Sequence, residues 1–161
     1  MKKIICIILT LLCLCSCSKS EISPKLRSIS FTAELKYYNE EYVFEGEILE
    51  DATMKISIKE PEELKDLNIT VTDKVMKADY KGLTYEANEA TMPFSRVIQT
   101  FYSPLSIIAK DDTIKADKNG EINGEFGGEK CSMTISPTGL PQKLESKQLC
   151  LNFYNITIKE E

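Results

Sequence analysis

The sequence predicts a mainly β protein, a curved antiparallel sheet forming an incomplete, half-open barrel with one inserted helix as its lid or plug. Three observations lead there. Apolar and polar residues alternate over many short segments; glycine, asparagine and aspartate turns separate those segments; and a single stretch carries apolar residues at helical spacing. A sheet of about ten or more strands must curl to cover its own apolar face, and a lone helix is the simplest cover for what stays open.

The 161-residue chain starts MKKIICIILTLLCLCSC. Lys2 and Lys3 precede an unbroken apolar run, Ile4 to Leu14, which is too short to cross ~30 Å of hydrocarbon as a helix, a span that takes about 20 residues. The stretch reads as a secretory signal. Its ending, Leu14-Cys15-Ser16-Cys17, resembles the bacterial lipoprotein signal, in which Leu and two small residues precede the Cys that receives diacylglycerol. Cys17 fits that role, whereas Cys15 would place the bulky Leu14 just before the cleavage point. The resemblance implies a signal peptide over residues 1–16 and lipid attachment, with acyl chains such as palmitate, at Cys17. It also implies an exported protein held on the bacterial cell membrane, or on an outer membrane where there is one. Residues 17–27 are expected to form the tether and residues 28–161 the β domain.

Removing residues 1–16 leaves 145 residues, enough for one domain with a real core. It also removes Lys2 and Lys3, so 18 basic side chains remain against 25 acidic ones, a net charge of −7. That balance disfavours nucleic acid and a polybasic grip on anionic headgroups, leaving the acyl chains as the membrane anchor. The chain has no histidine, which removes the usual general base near neutral pH and the commonest zinc ligand. A non-catalytic protein without cofactor or metal is the expectation.

Ser18 to Lys25 is polar and carries Pro24, as a short linker does. From Ser28 to Tyr37, Ile29, Phe31, Ala33, Leu35 and Tyr37 share one face of a half-buried strand. After a turn at Asn39-Glu40-Glu41, Tyr42, Phe44, Gly46 and Ile48 share a face, and after Glu50-Asp51 so do Met54, Ile56 and Ile58. Glu60 to Leu64 reads as one helical turn, with Pro61 at its start and acids near the positive end of the dipole. Asn68 to Thr72, Val75 to Tyr80 and Leu83 to Ala87 form three more strands. Phe94 to Ile108 is the helix, with Val97, Ile98, Phe101 and Leu105 on one side and Pro104 as an interruption. The strand rhythm returns over Thr113 to Ala116, Glu121 to Phe126, Cys131 to Ser136, Gln142 to Glu145 and Leu149 to Ile158. In the last of these the apolar phase slips near Tyr154, as at a bulge.

Leu26-Arg27-Ser28-Ile29-Ser30-Phe31-Thr32-Ala33 at the first strand, and Gly139-Leu140-Pro141 leading to Phe153-Tyr154-Asn155-Ile156 at the last, resemble the periplasmic lipoprotein-carrier superfamily of LolA and LolB. The order of elements is similar from about Leu26 to Ile158. The long amphipathic helix that usually precedes the first strand of that superfamily is reduced here to at most Ile22 to Leu26. The resemblance implies an apolar half-barrel that binds an acyl chain or a lipoprotein without catalysis. Related anchored lipoproteins act as docking partners, which leaves a second expectation: a docking or regulatory subunit for another envelope protein, with a solid core and no ligand cavity.

Phe31, Leu35, Phe44, Ile56, Tyr85, Phe101 and Leu105 are the candidate cavity lining, and an ordinary packed core is their plainer reading. Asp117-Lys118-Asn119-Gly120-Glu121 has the look of a calcium-loop start, but a strand follows where further oxygen ligands belong, so a turn is expected and no metal. Glu60, Glu62, Glu63, Asp111 and Asp112 read as solvated acids. Cys131 and Cys150 permit one disulfide outside the cytoplasm. In a plain meander, however, they sit two strands apart, about 9.5 Å, beyond the ~7 Å reach of a bridge. Free thiols are the favoured expectation.

Overall fold

A computed structural model describes residues 21–88, 95–126 and 128–159 of the chain. The expected signal peptide and Cys17 lie outside the described residues. Ten antiparallel strands form one open sheet in the order β6-β5-β4-β3-β2-β1-β10-β9-β8-β7. They are β1 (Ile29–Tyr37), β2 (Glu40–Ile48), β3 (Met54–Glu60), β4 (Asn68–Val71), β5 (Val75–Tyr80), β6 (Leu83–Asn88), β7 (Glu121–Phe126), β8 (Glu129–Ile135), β9 (Pro141–Ser146) and β10 (Leu149–Ile158). Among the described residues one helix, α1 (Ser95–Lys110), joins the two halves of the sheet between β6 and β7, and a single 3-10 turn, Glu62–Leu64, joins β3 to β4. A mainly β architecture with a curved open sheet and one helix is what the alternation predicted.

Alternation sets the inward face. Ile29, Phe31, Ala33 and Leu35 of β1 are buried together with Phe44 and Ile48 of β2 and Met54, Ile56 and Ile58 of β3. Strand pairing then carries a single row across six strands: Phe31 opposite Gly46, Gly46 opposite Ile56, Ile56 opposite Ile69, Ile69 opposite Ala78, and Ala78 opposite Tyr85. Gly46 has a steric reason to be glycine, since a methyl group there would overlap the Phe31 ring. That ring turns its edge towards Phe153, with centroids 5.1 Å apart. The two chain ends of the domain meet in the middle of the sheet, where β1 pairs with β10. On β10, Asn155 and Ile156 stand opposite the single residue Phe31, and Asn155 takes a positive φ of 49°. This is the bulge that the phase slip near Tyr154 predicted.

Helix α1 lays Ile98, Phe101, Tyr102, Leu105, Ile108 and Ala109 into the concave face, the i, i+3, i+4, i+7 set of an amphipathic helix. It runs on through Pro104 to Lys110 instead of stopping there. The Thr100 carbonyl loses the N–H four residues on and meets the proline ring. Phe94, expected as the first helical residue, lies outside the described residues.

One expected strand is absent. Thr113 to Ala116 is not a strand; Ala116 makes only an isolated bridge, to Ile22. The apolar pair Ile114 and Ala116 packs against the core from a loop, which period-two spacing over four residues cannot distinguish from a strand. Residues 22–27 are held on the domain. Ile22 exchanges two backbone hydrogen bonds with Ala116, Lys25 donates its N–H to the Gly139 carbonyl at 2.7 Å, and Leu26 is 2% exposed. An apolar side chain next to the first strand docks wherever the core offers space, and Gly139 provides it: at φ 89°, a methyl group there would overlap the Ser23 carbonyl.

Candidate functional site

The strands alternate in direction, so the molecule has two ends. The near end holds the start of β1, the β4–β5 turn and the C-terminus of α1; the far end holds the close of β1, the 3-10 turn and the β5–β6 turn. Polar contacts pin α1 at the near end. Asp73, in the β4–β5 turn, accepts hydrogen bonds from Tyr102 Oη at 3.2 Å, Ser106 Oγ at 3.5 Å and Lys110 Nζ. Those three residues lie one helical turn apart, which is why a single carboxylate reaches all of them. Their hydrogen bonds, the Lys110 ammonium first, hold the Asp73 carboxyl below the usual carboxylate range. Arg27 Nε donates to the Ala109 carbonyl, and its guanidinium faces Glu50 at 3.8 Å and Asp112 at 3.6 Å. A cation over the last carbonyls of a helix is favourable on the dipole argument as well.

Apolar contacts dominate at the other end of the helix. Phe101 stacks on Phe44 with centroids 5.7 Å apart and planes 22° from parallel. Beside that stack is a cleft of about 40 Å³, lined by Leu35, Tyr42, Phe44, Ile56, Ile58, Leu64, Leu67, Ile69, Val97, Ile98 and Phe101. Tyr42 is the one polar member, and its hydroxyl points away to the Glu40 carboxylate. Burial first and then that carboxylate push the phenol up to about 12, so it remains a neutral donor. The volume holds little more than a water molecule, and the lining gives water nothing to bond to. A broader hollow of about 570 Å³ crosses β7 to β9, but it is a shallow solvent-facing surface bordered by Asn123, Glu125, Lys130 and Glu145. The apolar cleft is the better candidate site, because exclusion of water is what an apolar ligand requires.

Leu35, Phe44, Ile56 and Phe101 of the expected lining meet at this cleft. Phe31 and Leu105 are buried in the surrounding core, at 4% and 0% exposure. Tyr85 stands apart from them: it is on the inward face, in the same row as Ile56, and is 54% exposed. Its strand is the edge of the sheet, and facing inward there no longer means being covered. Leu64 and Leu67 were missed because an acidic connector hid them, although two leucines three residues apart amid carboxylates are themselves an amphipathic signal.

Cys131 faces the core from β8, in line with Met133. Cys150 lies on the outer face of β10, beside the inward Leu149 and Leu151. Strand β9 runs between them and both are free. Burial, with Glu129 adding to it, pushes the Cys131 thiol up, which keeps it protonated and poorly nucleophilic. Asp117 accepts from the backbone N–H groups of Asn119 at 2.8 Å and Glu121 at 2.9 Å, so its carboxylate shapes the turn into β7. Glu60, Glu62, Glu63, Asp111 and Asp112 are all exposed.

The fold and cleft together define an open antiparallel sheet wrapped about one helix that is pinned at one end. No protein-family model and no curated protein matches the chain.

Proposed function

We propose that the protein is a non-catalytic envelope lipoprotein, anchored through Cys17, that takes an apolar chain between helix α1 and the concave sheet, in the manner of the LolA/LolB carriers that its sequence resembles. The supporting observation is the division of labour along α1. Its C-terminal half is fastened by Asp73 and Arg27, while Val97, Ile98 and Phe101 of its N-terminal half border a cleft lined almost wholly by hydrocarbon. Ligand pockets measure roughly 300 Å³ or more, so the helix must lift at its N-terminal half to admit an acyl chain.

Native mass spectrometry of the purified protein, released from detergent in the gas phase, tests the reading. A bound species with the mass of a lipid or acyl compound is expected; bare protein from every preparation counts against it. The anchor has its own test: Cys17→Ala should abolish metabolic lipid labelling, and unchanged labelling would exclude Cys17. The alternative, a docking or regulatory subunit for an envelope protein, draws support from the small size of the cleft, at about 40 Å³. It predicts no bound lipid together with a stoichiometric protein partner.

A further inference from the structure

The chain enters the fold across the near end. Ile22 exchanges backbone hydrogen bonds with Ala116 at 3.2 and 2.9 Å, the Lys25 N–H reaches the Gly139 carbonyl, and Arg27 reaches the last turn of α1 at the Ala109 carbonyl. Lys115 Nζ adds a bond to Ser23 Oγ at 3.0 Å, and Leu26 is buried between these ties. Residues 22–27 are thus fastened to the loop before β7, to the β8–β9 turn and to the end of α1, all at the near end.

Chain length decides what this fastening does. From Cys17 to Ser28 is eleven residues, which could extend about 38 Å. The nine residues of β1 carry the sheet from one end to the other, a span of about 30 Å. On a free tether of that length the domain could turn either end to the membrane. With Ile22 fixed, only five residues separate it from Cys17, and they extend at most about 17 Å. An inverted domain would hold Ile22 about 30 Å above the membrane, beyond that reach.

Charge separates the two postures that remain, standing on the near end or lying on the flank of β7 to β9. Lys25, Lys115 and Lys118 are exposed around the entry point, with Glu21 and Asp117 as the acids beside them. The Asp117 carboxylate is turned onto the N–H groups of Asn119 and Glu121. The outer face of the flank carries Glu121, Glu125 and Glu145 against Lys130 and Lys143, and Lys143 is paired with Glu145 at 2.6 Å. Anionic headgroups favour the basic entry over the acidic flank.

We propose that the near end, around Lys25, Lys115 and Lys118, is a membrane-facing surface resting on anionic lipid headgroups, so that the cleft and the far-end turns point away from the membrane. The inference rests on the anchor at Cys17 and adds an orientation to it; the acyl chains hold the protein, and the short tether with its lysines chooses the posture. Whatever reaches the cleft then comes from the side opposite the anchoring membrane. The two most exposed large apolar side chains among the described residues, Leu83 at 75% and Tyr38 at 59%, are both at that far end.

The test is energy transfer from a coumarin amino acid to an acceptor on the lipid headgroups, in nanodiscs of phosphatidylcholine and phosphatidylglycerol carrying the full lipidated chain. The coumarin replaces, one at a time, Lys74 and Thr138 at the near end and Lys81 and Lys147 at the far end, all exposed. Transfer should be severalfold higher from Lys74 and Thr138 than from Lys81 and Lys147. Inserting about ten Gly/Ser residues between Ser20 and Glu21, which adds roughly 17 Å of reach, should level the four sites. The triple variant Lys25→Glu/Lys115→Glu/Lys118→Glu should stay on the nanodisc and lose part of the difference. High transfer from Thr138 and Lys147 with low transfer from Lys74 and Lys81 would place the flank on the membrane and overturn the proposal while the anchor stands. Equal transfer from all four sites in the unmodified chain, or a difference that survives the insertion, would overturn the short tether as the orienting device. A protein that does not remain with the nanodisc at all would overturn the anchor and the orientation together.

Discussion

Replacing Phe101 with alanine tests the packing of the whole concave face. The ring is 2% exposed and stacks on Phe44. Emptying such a site costs about 3–5 kcal/mol, the lost transfer energy plus the cavity left behind. The upper half of that range is expected, because the stacked aromatic pair adds about 0.5–1.5 kcal/mol beyond its area. The pre-existing cleft contributes little relief: about 40 Å³ at ~24 cal/mol per Å³ is about 1 kcal/mol. A domain of this size has about 5–15 kcal/mol in total, so Phe101→Ala should remain folded with a clearly reduced denaturation midpoint. Urea denaturation followed by circular dichroism reads the change, and an unaltered m-value shows that only stability moved. A loss below ~1.5 kcal/mol would mean that the N-terminal half of α1 is not packed on the sheet in solution, which refutes the closed core. A large loss in a protein that binds no lipid would instead favour the docking reading.

Two further outcomes follow from the pinned end and from the thiols. Asp73→Asn should cost about 0.5–1 kcal/mol at neutral pH, the scale of an exposed ion pair with its hydrogen bonds. Because the folded carboxyl titrates below its unfolded value, that stability is present above the ordinary carboxylate range near ~3.9 and is lost as pH falls through the folded value; the gap between wild type and variant should therefore close in acid, and a pH-independent gap would contradict the clamp. Alkylation of the denatured, unreduced protein should modify both Cys131 and Cys150, whereas reaction only after reduction would show that β9 does not separate them.

The elements were legible in the sequence wherever a face was continuous. Ile29 to Tyr37 and Glu121 to Phe126 could be read almost to the residue because each alternates between core and solvent, and Leu149 to Ile158 because its alternation breaks only at the bulge. The helix was legible from the switch of period at Val97, Ile98, Phe101 and Leu105. What alternation does not encode is partnership. Nothing local in Ile29 to Tyr37 says that it pairs with Leu149 to Ile158, more than a hundred residues away, and that pairing is what puts both ends of the domain in the centre of the sheet. Part of the cleft was legible for the same reason: Leu35, Phe44, Ile56 and Phe101 could be assigned to the inward face, but the exposure of Tyr85 depends on β6 being an edge, and the role of Leu64 on where a connector folds back. The docked segment at Ile22 and Leu26 was masked by its polar neighbours, because one leucine between charged residues carries no periodicity.

The energetics of α1 set a lower limit on the ligand it can admit. The near-end fastenings are exposed ion pairs and hydrogen bonds worth about 0.2–1 kcal/mol each. Both halves of the helix bury apolar side chains worth about 1.5–3 kcal/mol each, Ile98 and Phe101 in the N-terminal half and Leu105 and Ile108 in the C-terminal half, and the fastenings add to the C-terminal half, so the N-terminal half is the one that lifts. Lifting it exposes at least Ile98 and Phe101, now 5% and 2% exposed, at a cost of about 3–6 kcal/mol. The open form is then populated at roughly one part in 10² to 10⁴, and the apparent affinity of any ligand falls by that fraction. A ligand recovers the cost through its own burial at about 0.8 kcal/mol per methylene, so about four to eight methylenes are needed merely to break even. Alkyl esters shorter than this should leave the helix closed, and affinity should rise with each added carbon beyond it. Titrating a homologous series of methyl esters from six to sixteen carbons against the protein measures that threshold. Equal affinity across the series would show that the chain is not buried under α1 at all.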